Sequence, residues 1–276
     1  MNKLTPQLDS KLNKLNHWFL QRKGSIVAFS GGVDSTLVLY LARKNQGREN
    51  AIGVISNSES LKSTDFELAK KICEDFDIHL EVVHTKELSD GNYNVNPENR
   101  CFFCKGHLYK ALQSIAGKYP NFDVVNGTNY DDLGDYRPGL QAAADFKVQT
   151  PMVDCRITKQ DIRDLAQYFG LPNRNKPASP CLSSRIPYNH SITSEKLRQI
   201  EAAENILNDL GFSDVRVRHY ELYGKVEVPA EELEKLLSMS DRVISKIQSV
   251  GFKEVIIDRE GLVSGKLNRS LANKGS

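Results

Sequence analysis

The sequence predicts an α/β protein, with a parallel sheet in its first two thirds and a smaller α+β module after it. Short apolar runs rich in β-branched residues alternate with helical segments up to about residue 186. Such alternation is typical of a parallel sheet covered by helices on both faces. After Ile186-Pro187 the order becomes helix, two strands, helix and strand. We therefore predict two domains, residues 1–186 and residues 187–276.

Local periodicity gives the elements of the first domain. A polar helix precedes the first apolar run, and apolar residues recur at helical spacing from Ser35 onward. The same alternation continues to residue 169. The predicted strands are 25–29, 50–56, 79–84 and 122–126, and the predicted helices are 11–22, one from residue 35, 64–76, 105–116 and 158–169.

The second domain is a module of roughly ninety residues, near the lower end of domain sizes. Its first predicted helix, 193–210, precedes two strands, 214–220 and 224–228. A helical stretch, 230–250, then leads into a last strand at 253–258. This αββαβ order predicts a compact α+β fold.

The composition is that of a globular protein and excludes several classes. The 276 residues are 39% hydrophobic and 26% charged, which argues against disordered and fibrous proteins. Lys and Arg number 37 against 35 Asp and Glu, so the net charge of +2 does not indicate a nucleic-acid partner. No apolar stretch approaches the roughly 20 residues that span a bilayer, and the first residues lack the apolar core of a signal peptide. We expect a cytoplasmic protein without membrane contact.

The segment Ser30-Gly-Gly-Val-Asp-Ser35 lies where the first strand turns into a helix. In open α/β sheets, ligands bind beyond the carboxyl ends of the strands, where helix N-termini offer free N–H groups to anions. Gly31 and Gly32 let the backbone approach a phosphate closely, and the hydroxyls of Ser30 and Ser35 can donate to it. We predict that these residues bind the phosphates of a nucleotide.

Asp34 is the unusual member of this segment, because a carboxylate repels a polyphosphate. We expect it either to cap N–H groups of the helix or to hold Mg²⁺. The loop lacks the Lys that follows the second Gly of a Walker A motif. An ordinary glycine turn with serine caps is the alternative interpretation, but the order of six residues after the first apolar strand favours a phosphate loop.

These six residues resemble the signature of the PP-loop ATP pyrophosphatases. The resemblance implies a Rossmann-like sheet and a reaction in which ATP adenylates a substrate and pyrophosphate is released. Asn126-Gly-Thr-Asn-Tyr-Asp-Asp132, after the fourth predicted strand, is similar to a segment that these enzymes carry near the adenylate. By that similarity, Gly127 and Asn129 join the nucleotide-binding residues.

Five cysteines, an odd number, argue against a disulfide framework. Cys101-Phe-Phe-Cys104 has the spacing that lets two thiols reach one metal, and Cys181 lies in a loop-rich stretch. Zinc would complete its coordination with His107, whereas a [4Fe-4S] cluster on three cysteines would leave one iron open to an external ligand. Two separate buried thiols are the alternative without a metal. We expect Cys73 to be core packing and leave Cys155 outside the site.

Longer segments resemble the LarE sulfur transferases, from about residue 20 to the end. The four segments that carry the resemblance are 135–139, 175–179, 183–188 and 215–218. LarE proteins act in making the nickel-pincer nucleotide cofactor of lactate racemase. The resemblance implies that ATP adenylates a carboxylate of a pyridinium dicarboxylate mononucleotide, and that sulfur then displaces AMP to give a thiocarboxylate.

Two branches of that family differ in the source of sulfur. One branch consumes its own cysteine, which falls opposite Pro180 in this chain, so the sacrificial mechanism is not expected here. The other carries three cysteines and binds a [4Fe-4S] cluster with a sulfide on the open iron. Cys101, Cys104 and Cys181 match the second branch. The match implies cluster ligation by all three, a catalytic role for Cys181 and an external sulfide or sulfur donor.

Four charged residues of the second domain complete the expected site. Arg216 and Arg218 alternate on a predicted strand and share one face, and Arg suits bidentate contact with phosphate. A solvated strand face is the alternative interpretation. The resemblance favours binding of the substrate phosphate. It also implies that Glu204 and Glu227 line the same pocket, with Glu204 and Asp34 as catalytic residues.

Three other functions compete with this one. A tRNA thiolase would need a broad basic surface, for which the net charge gives little support. An ammonia-using adenylating synthetase would need the loop but not the three cysteines. A nucleotide sensor would bind ATP without releasing pyrophosphate. LarE proteins can assemble as hexamers, so we expect a homo-oligomer in which the second domain serves substrate binding or oligomerisation.

Overall fold

The computed structural model describes residues 3–134, 138–177, 179–263 and 266–268. Within these residues the chain divides into two compact units. The first unit comprises the chain up to Glu87 together with Asn99–Ser179, and the second comprises Leu88–Glu98 and the chain from Pro180 onward. The sequence predicts the boundary after residue 186. In the structure it falls earlier, and a short segment from the first half of the chain joins the second unit.

A four-stranded parallel sheet is the framework of the first unit. In chain order its strands are β1 (Gly24–Ala28), β2 (Ala51–Ser56), β3 (His79–Val83) and β4 (Phe122–Val125). They lie in the order β3-β2-β1-β4, and Ile26 of β1 is opposite Ile52 on one side and Val124 on the other. All five residues of β1 are buried, as expected for a central strand of a parallel sheet.

Helices account for most of the remaining regular structure. In chain order they are α1 (Pro6–Leu20), α2 (Val33–Gln46), α3 (Ser63–Asp75), α4 (Gly91–Asn94), α5 (Arg100–Ala116), α6 (Pro138–Asp145), α7 (Pro151–Asp154), α8 (Lys159–Tyr168), α9 (Ser194–Asp209), α10 (Leu233–Ser238) and α11 (Ser240–Gln248). α4 and α9 to α11 lie in the second unit, and the others lie in the first. Short 3-10 turns connect several of them.

Alternate residues along β1 contact two separate apolar clusters. Val27 and Phe29 pack with side chains of α1, α2 and α8 on one face, whereas Ile26 and Ala28 pack with side chains of α5 and α6 on the other. A strand directs successive side chains to opposite faces, so one strand anchors both clusters. The sheet is therefore covered on both faces, as the sequence predicts.

α5 begins earlier than the sequence predicts, at Arg100 instead of residue 105. Gly106 disfavours a helix by about 1 kcal/mol relative to Ala, which weakens the periodic pattern around it. Packing of Phe102 against the apolar cluster beneath α5 offsets that cost, since apolar burial stabilises by roughly 25 cal/mol per Å². Cys101 and Cys104 therefore lie within a helix and not in a loop before one.

The second unit contains a three-stranded mixed sheet. In chain order its strands are β5 (Arg216–Tyr220), β6 (Tyr223–Glu227) and β7 (Glu254–Ile257). β5 and β6 are antiparallel, and β6 and β7 are parallel. Side chains of α9, α10 and α11 pack with Val217 and Val226 in its core. The prediction of one helical stretch over 230–250 is wrong, because the helix is interrupted at Met239, between α10 and α11.

The segment Leu88–Glu98 joins the second unit through hydrogen bonds to later residues. The hydroxyls of Tyr93 and Ser183 lie 2.6 Å apart, and Asn96 Nδ2 donates to the carbonyl of Pro187 at 2.8 Å. Tyr93 and Asn96 are both buried. These pairs join residues about ninety positions apart. The periodicity of apolar residues in a sequence predicts helices and strands, but it does not predict contacts between residues this far apart.

Candidate functional site

The loop between β1 and α2 is held together by its own serines. The amide of Ser30 donates to Ser35 Oγ at 3.2 Å, and the two hydroxyl oxygens also lie 3.2 Å apart. Ser35 Oγ donates to the carbonyl of Gly32 at 3.1 Å. The predicted phosphate loop is thus a closed turn between the central strand and the N-terminus of α2, where backbone amides favour an anion.

Gly31 occupies a position in this loop that only glycine suits. Its φ is +70°, in the left-handed region. A Cβ at this position would lie 3.2 Å from the carbonyl oxygen of Asp65 and 3.2 Å from Cβ of Ala69, both in α3. Glycine is therefore required for two independent reasons, which are backbone conformation and close packing against α3.

Gly127 follows β4 and lies directly against the backbone of the phosphate loop. A Cβ on Gly127 would come within 2.8 Å of the amide nitrogen of Ser35 and 3.0 Å of its Cα. Both are backbone atoms, so neither can turn aside as a flexible side chain would. The pairing of β4 with β1 brings Gly127 to this place, and the structure thereby joins two segments that the sequence singles out separately.

Asn129 organises the turn that follows Gly127. Its Oδ1 accepts from the amides of Asp131 and Asp132 at 3.0 and 3.3 Å, and its own amide donates to the Asp132 carboxylate at 3.0 Å. Its Nδ2 lies 3.5 Å from Oδ2 of Asp34. The buried Asn129 side chain therefore links this turn to the phosphate loop.

Asp34 forms an ion pair with Lys159, and the expectation that it caps the helix is wrong. The N-cap of α2 is Gly32, and no side chain caps that helix end. The side chains of Asp34 and Lys159 are 27% and 38% exposed, so a ligand can reach both. Mg²⁺ usually takes one or two carboxylates together with substrate phosphates and water. An accessible carboxylate beside a phosphate loop fits that donor set.

Lys159 is a site residue that the sequence reasoning missed. A capping box, in which Thr158 and Asp161 each accept the other's backbone N–H, starts α8 and places Lys159 at its first position. The amide of Lys159 donates to Asp131 at 2.8 Å. A cation at the positive end of a helix dipole is unfavourable unless an anion faces it. Here that anion is Asp34. The Thr-x-x-Asp pattern of residues 158–161, which indicates the start of a helix, was the sequence signal that could have drawn attention to Lys159.

Asn173 is a second residue that was missed, and it lies beneath the phosphate loop. Its Nδ2 donates to the carbonyl of Gly31 at 2.8 Å and to Thr36 Oγ1 at 2.8 Å. The residue is only 3% exposed. No local pattern marks this Asn, because both of its partners are more than a hundred positions away.

The segment that follows Asn173 is fastened to α3. Asp65, in the first turn of α3, lies 2.8 Å from Lys176 Nζ and accepts from Ser179 Oγ at 2.9 Å. Lys176 and Ser179 belong to the segment 175–179 that carries part of the family resemblance. Since the carbonyl of Asp65 also lies against Gly31, these contacts support one side of the phosphate loop.

The five cysteines fall into two groups by burial. Cys101 is exposed and Cys104 and Cys181 are partly exposed, whereas Cys73 and Cys155 are buried. Burial, assisted by a neighbouring carboxylate, raises the pKa of the Cys73 thiol to about 12 and that of Cys155 to about 11. Metals bind the thiolate form, and a raised pKa disfavours it. The three accessible cysteines are therefore suited to a metal, whereas the two buried cysteines are not. Cys73 lies in the core, as expected.

Cys101 and Cys104 are three residues apart at the start of α5, so they lie on one face of that helix. Thiolates near a helix N-terminus are stabilised by its dipole. Cys181 belongs to the second unit and immediately precedes the 3-10 turn Leu182–Arg185. Among the described residues, no group of three or more His, Cys, Asp or Glu side chains is placed to hold a metal. The ligand set that joins these cysteines, with His107 for zinc, stays a prediction.

A buried ion pair lies inside the second unit. Arg185 Nε is 2.8 Å from Glu204 Oε1 and Arg185 Nη2 is 3.1 Å from Oε2, with both side chains at most 1% exposed. Glu204 Oε1 also accepts from the amide of Val217 at 3.0 Å. The Glu204 carboxylate thus ties α9 to β5, and its catalytic role stays a prediction. Arg185 was not singled out from the sequence.

Arg218 and Glu227 form a second ion pair, between β5 and β6. Arg218 Nε lies 2.6 Å from Glu227 Oε1, and Lys266 Nζ lies 3.4 Å from the same oxygen. The other carboxylate oxygen, Oε2 of Glu227, is buried and has no hydrogen-bond partner within the described part of the chain. A buried oxygen without a donor is costly, and a ligand donor or a metal ion would satisfy it.

Arg216 lies beside Asp214, with Nη1 2.6 Å from the carboxylate. Burial, and then the positive charge of Arg185, lower the pKa of the Arg216 guanidinium. The side chains of Arg216 and Arg218 are only 13% and 9% exposed, so the alternative of a solvated strand face is wrong. Both arginines are instead largely buried, and each lies beside a carboxylate, Asp214 for Arg216 and Glu227 for Arg218.

Comparison with known proteins assigns the chain to a family. The family model described as NAD synthase matches residues 1–103, which contain the phosphate loop. Pyridinium-3,5-bisthiocarboxylic acid mononucleotide synthase from Lactiplantibacillus plantarum is 37% identical over 245 residues, covering 89% of this chain and 89% of that protein. This chain belongs to the LarE family. Its similarity to that synthase covers both units.

Two further relatives come from other organisms. An uncharacterised protein from Synechocystis sp. is 41% identical over 266 residues, covering 96% of this chain and 99% of the relative. An uncharacterised protein from Methanocaldococcus jannaschii is 30% identical over 249 residues, covering 90% of this chain and 94% of the relative. Both therefore align with nearly the whole chain.

Membership of the LarE family confirms three expectations from the sequence. The resemblance itself is confirmed, as are the α/β PP-loop fold class and the class of ATP-dependent, adenylating sulfur transferases. Use of ATP and Mg²⁺ follows from that class. Residues 135–137 of the family segment 135–139 lie outside the described residues. Among the described residues, no helix is long and apolar enough to cross a membrane.

Proposed function

We propose that this LarE-family chain converts a carboxylate of a pyridinium dicarboxylate mononucleotide to a thiocarboxylate during synthesis of the nickel-pincer nucleotide cofactor. The observation that carries this proposal is the 37% identity, across 89% of both chains, to a synthase named for the bisthiocarboxylic mononucleotide product. The closed phosphate loop at the end of β1 supports the ATP-dependent half of the reaction.

The first half of the reaction is adenylation of the substrate. Ser30, Gly31, Gly32 and Ser35 bind the phosphates of ATP through loop amides and hydroxyls, and Asp34 holds Mg²⁺. Gly127 and Asn129 bind the nucleotide from the β4 side of the loop. A carboxylate oxygen of the substrate attacks the α-phosphorus of ATP, the bond to the β-phosphate breaks, and pyrophosphate leaves.

The second half of the reaction replaces oxygen by sulfur. A sulfur nucleophile forms a bond to the activated carboxyl carbon, the bond from that carbon to the AMP oxygen breaks, and AMP leaves with the electron pair. One sulfur atom and one ATP are consumed for each carboxylate converted. The AMP leaving group makes the displacement feasible because an unactivated carboxylate is a poor electrophile.

The second unit is proposed to bind the mononucleotide and to contribute to a homo-oligomer. Arg216 and Arg218 contact the substrate phosphate, which is supported by the lowered pKa of the Arg216 guanidinium, caused by burial and then by the positive charge of Arg185. Glu227 lines the same pocket, and its unpartnered Oε2 supports a direct contact with a ligand. Glu204 acts there as a catalytic residue or as the anchor of Arg185.

Cys101, Cys104 and Cys181 are proposed to hold a [4Fe-4S] cluster. Their accessible thiols fit such a group, and the high pKa of the Cys73 and Cys155 thiols makes those two unsuited to it. When bound by three cysteines, the cluster would supply an iron with a free position for sulfide, replenished by an external donor. Zinc on the same cysteines with His107 is the alternative occupant.

Anaerobic purification followed by iron and acid-labile sulfide analysis tests the metal assignment. We expect about four irons per chain, the content of one [4Fe-4S] cluster. Stoichiometric zinc without iron in anaerobically reconstituted protein would overturn the cluster and favour the zinc alternative.

Substitution at Cys181 separates the two halves of the reaction. Cys181→Ala is expected to abolish thiocarboxylate formation while substrate-dependent pyrophosphate release continues, because the phosphate loop is intact. Cys155→Ala is the matched control, since it removes a thiol outside the proposed ligand set. Unchanged thiocarboxylate formation in Cys181→Ala would remove Cys181 from the mechanism.

A further inference from the structure

The peptide that joins Gly31 to Gly32 has no intrinsic orientation. Glycine adopts positive and negative φ about equally, so neither neighbour fixes the plane of this peptide. In a trans peptide the C=O and N–H bonds point in opposite directions. The orientation of the plane therefore decides whether the N–H of Gly32 is available to a phosphate at the loop.

Asn173 supplies the constraint that the two glycines lack. Its Nδ2 donates to the carbonyl of Gly31 at 2.8 Å, which fixes that oxygen on the buried side of the loop. The N–H of Gly32 is consequently directed away from Asn173 and towards Ser30 Oγ, 3.4 Å away, another of the residues expected to bind phosphate. Gly31 has a φ of +70°, a conformation that glycine adopts easily and also leaves easily. The hydrogen bond from Asn173 therefore decides the orientation of this peptide.

The same side chain also supports the next peptide. Asn173 Nδ2 donates to Thr36 Oγ1 at 2.8 Å, and that hydroxyl donates to the carbonyl of Gly32 at 2.9 Å. The Gly32 oxygen also accepts from the amide of Thr36 at 3.0 Å and from Ser35 Oγ at 3.1 Å, so α2 itself holds it and the Thr36 hydroxyl adds to that support. The N–H of Val33 points the opposite way. The buried amide group of Asn173 thus orients the N–H of Gly32 directly and supports the orientation of the next N–H, that of Val33, through Thr36. Successive N–H groups of this kind can form an anion-binding concavity.

Packing alone does not explain an asparagine at this position. The residue is 3% exposed, and its Oδ1 is buried without a hydrogen-bond partner among the described residues. An unsatisfied buried oxygen costs roughly 1–3 kcal/mol, so an apolar residue of the same size would stabilise the core better. The two hydrogen bonds from Nδ2 offset this cost and act on the phosphate loop.

We propose that Asn173 is a positioning residue for the triphosphate. It fixes the peptide plane of Gly31–Gly32 and supports that of Gly32–Val33 through Thr36, so that both N–H groups are on the phosphate side of the loop before ATP arrives. The inference rests on the proposed ATP-dependent function and adds to it a residue that contacts neither nucleotide nor reacting atoms.

Binding of ATP and adenosine to Asn173→Leu provides the first test. Leucine keeps the volume and removes the donor. Isothermal titration with Mg²⁺ should show about a tenfold or greater rise in the ATP dissociation constant, the size expected from losing two buried hydrogen bonds. Adenosine, which has no phosphates, should bind as it does to the wild type. Unchanged ATP binding, or equal losses for ATP and adenosine, would overturn the proposal.

Asn45→Leu is the matched control for that variant. Asn45 also donates two hydrogen bonds through Nδ2, to Asn16 at 2.9 Å and to the carbonyl of Leu41 at 2.8 Å, near the far end of α2. Losing these two hydrogen bonds in Asn45→Leu should lower the melting temperature of the protein without changing its ATP dissociation constant. A rise for Asn45→Leu equal to that for Asn173→Leu would show general destabilisation of α2 and would also overturn the proposal.

Asn173→Asp gives a pH-dependent rescue that a structural role would not produce. An ionised carboxylate has no donor for the Gly31 carbonyl, whereas a protonated one has. Burial raises the pKa of such a carboxyl, so the protonated form becomes populated as pH falls towards 6. The ratio of variant to wild-type ATP affinity should therefore rise between pH 8 and pH 6. A ratio that stays constant would contradict the role of the donor.

The wild-type protein separates this inference from the proposed function. If wild type binds ATP but releases no pyrophosphate with the pyridinium mononucleotide, the proposed function fails and the role of Asn173 in ATP binding still stands. If wild type releases pyrophosphate and Asn173→Leu binds ATP normally, the proposed function stands and the role of Asn173 fails.

Discussion

Lys159 and Asp34 neutralise each other beside the phosphate loop. Substituting Lys159 by Met removes the counter-ion of Asp34, so divalent metal without nucleotide should bind more tightly than in the wild type. ATP should bind more weakly, by about tenfold, because a charged contact near the phosphates is lost. Electron paramagnetic resonance with Mn²⁺ and calorimetry with ATP measure the two opposite changes.

The control for that prediction is Lys110→Met, which removes an exposed lysine from the far part of α5. Both affinities should stay at their wild-type values. If Lys159→Met leaves Mn²⁺ binding unchanged, the Asp34 carboxylate is not the metal ligand.

Gly127 and Gly106 provide a pair of glycine substitutions with opposite expected effects. Gly127→Ala puts a methyl group 2.8 Å from the backbone nitrogen of Ser35, so the loop must shift and ATP binding should fall by tenfold or more. Gly106 lies inside α5, and among the described residues no atom beyond its chain neighbours and the nearby backbone of that helix comes within 4 Å of an added Cβ. Gly106→Ala should raise stability by about 0.5–1 kcal/mol.

Urea unfolding and ATP titration of both glycine variants check this pair. A Gly127→Ala protein that binds ATP normally would show that the approach of β4 to the loop is not needed for nucleotide binding. A lower free energy of unfolding in Gly106→Ala than in the wild type would contradict the conclusion that there is open space beside Gly106.

At the residue scale, the sequence identifies the residues of the loop but not those that support it. Gly127 was found because it lies in a segment of recognisable order. Asn173 and Lys159 were missed because their partners are more than a hundred positions away, and one side-chain contact leaves no periodic pattern. Lys159 had a weak signal in the capping box of Thr158 and Asp161 that brackets it, whereas Asn173 had none.

At the element scale, β6 and β7 are joined by charge as well as by backbone hydrogen bonds. Asp258 lies 2.9 Å from Lys225 Nζ and 2.8 Å from Lys266 Nζ. Burial alone would raise the pKa of the Asp258 carboxyl, but hydrogen bonds from Lys266 and Lys225 outweigh it and lower that pKa to about 2.

Asp258→Asn is therefore expected to show a stability defect that depends on pH. The unfolded pKa of Asp is about 3.9, so the stabilising contribution is complete above pH ~4 and is lost as pH falls towards the folded pKa. The wild type should exceed the variant in free energy of unfolding at pH 6, and the difference should shrink below pH ~4. Urea titrations between pH 3 and pH 7 measure it, and a constant difference would contradict the ion pairs.

Strands were predicted better than helix boundaries. The first strand is a continuous apolar run, and its bounds in the structure differ from the prediction by one residue at each end. α5 starts early because the packing of Phe102 outweighs the local effect of Gly106, and only the tertiary structure contains that contact. The break at Met239 was missed because the helical period continues on both sides of it.

At the scale of the whole molecule, burial divides the five thiols into a reactive and an unreactive group. Folded, cluster-free protein should be alkylated by iodoacetamide at Cys101, Cys104 and Cys181. Cys73 and Cys155 should react only after denaturation, because they are buried and their pKa values lie near 12 and 11. Peptide mass spectrometry of labelled protein measures this directly. Rapid labelling of Cys73 in the folded state would contradict the core assignment.

The two-part organisation was predictable, but the exact composition of the units was not. A change in element order near residue 187 revealed the second unit. The segment Leu88–Glu98 belongs to it through contacts such as Tyr93 with Ser183, which join residues 90 positions apart. The ion pair of Arg185 with Glu204 joins residues 19 positions apart, which is also beyond the reach of a helical or strand period. Local periodicity can predict helices and strands, but it cannot predict which of them are joined by a buried ion pair.

The central place of β1 in its sheet has a consequence for the dynamics of the molecule. β1 is bonded to a strand on each side and is fully buried, so its amide hydrogens exchange with solvent only when the whole unit unfolds. Ser30 follows this slowly exchanging strand almost immediately. The nucleotide loop is thus attached to a buried strand that is paired on both sides, and together with the hydrogen bond from Asn173 this attachment is expected to keep the shape of the loop between catalytic cycles without a bound ligand.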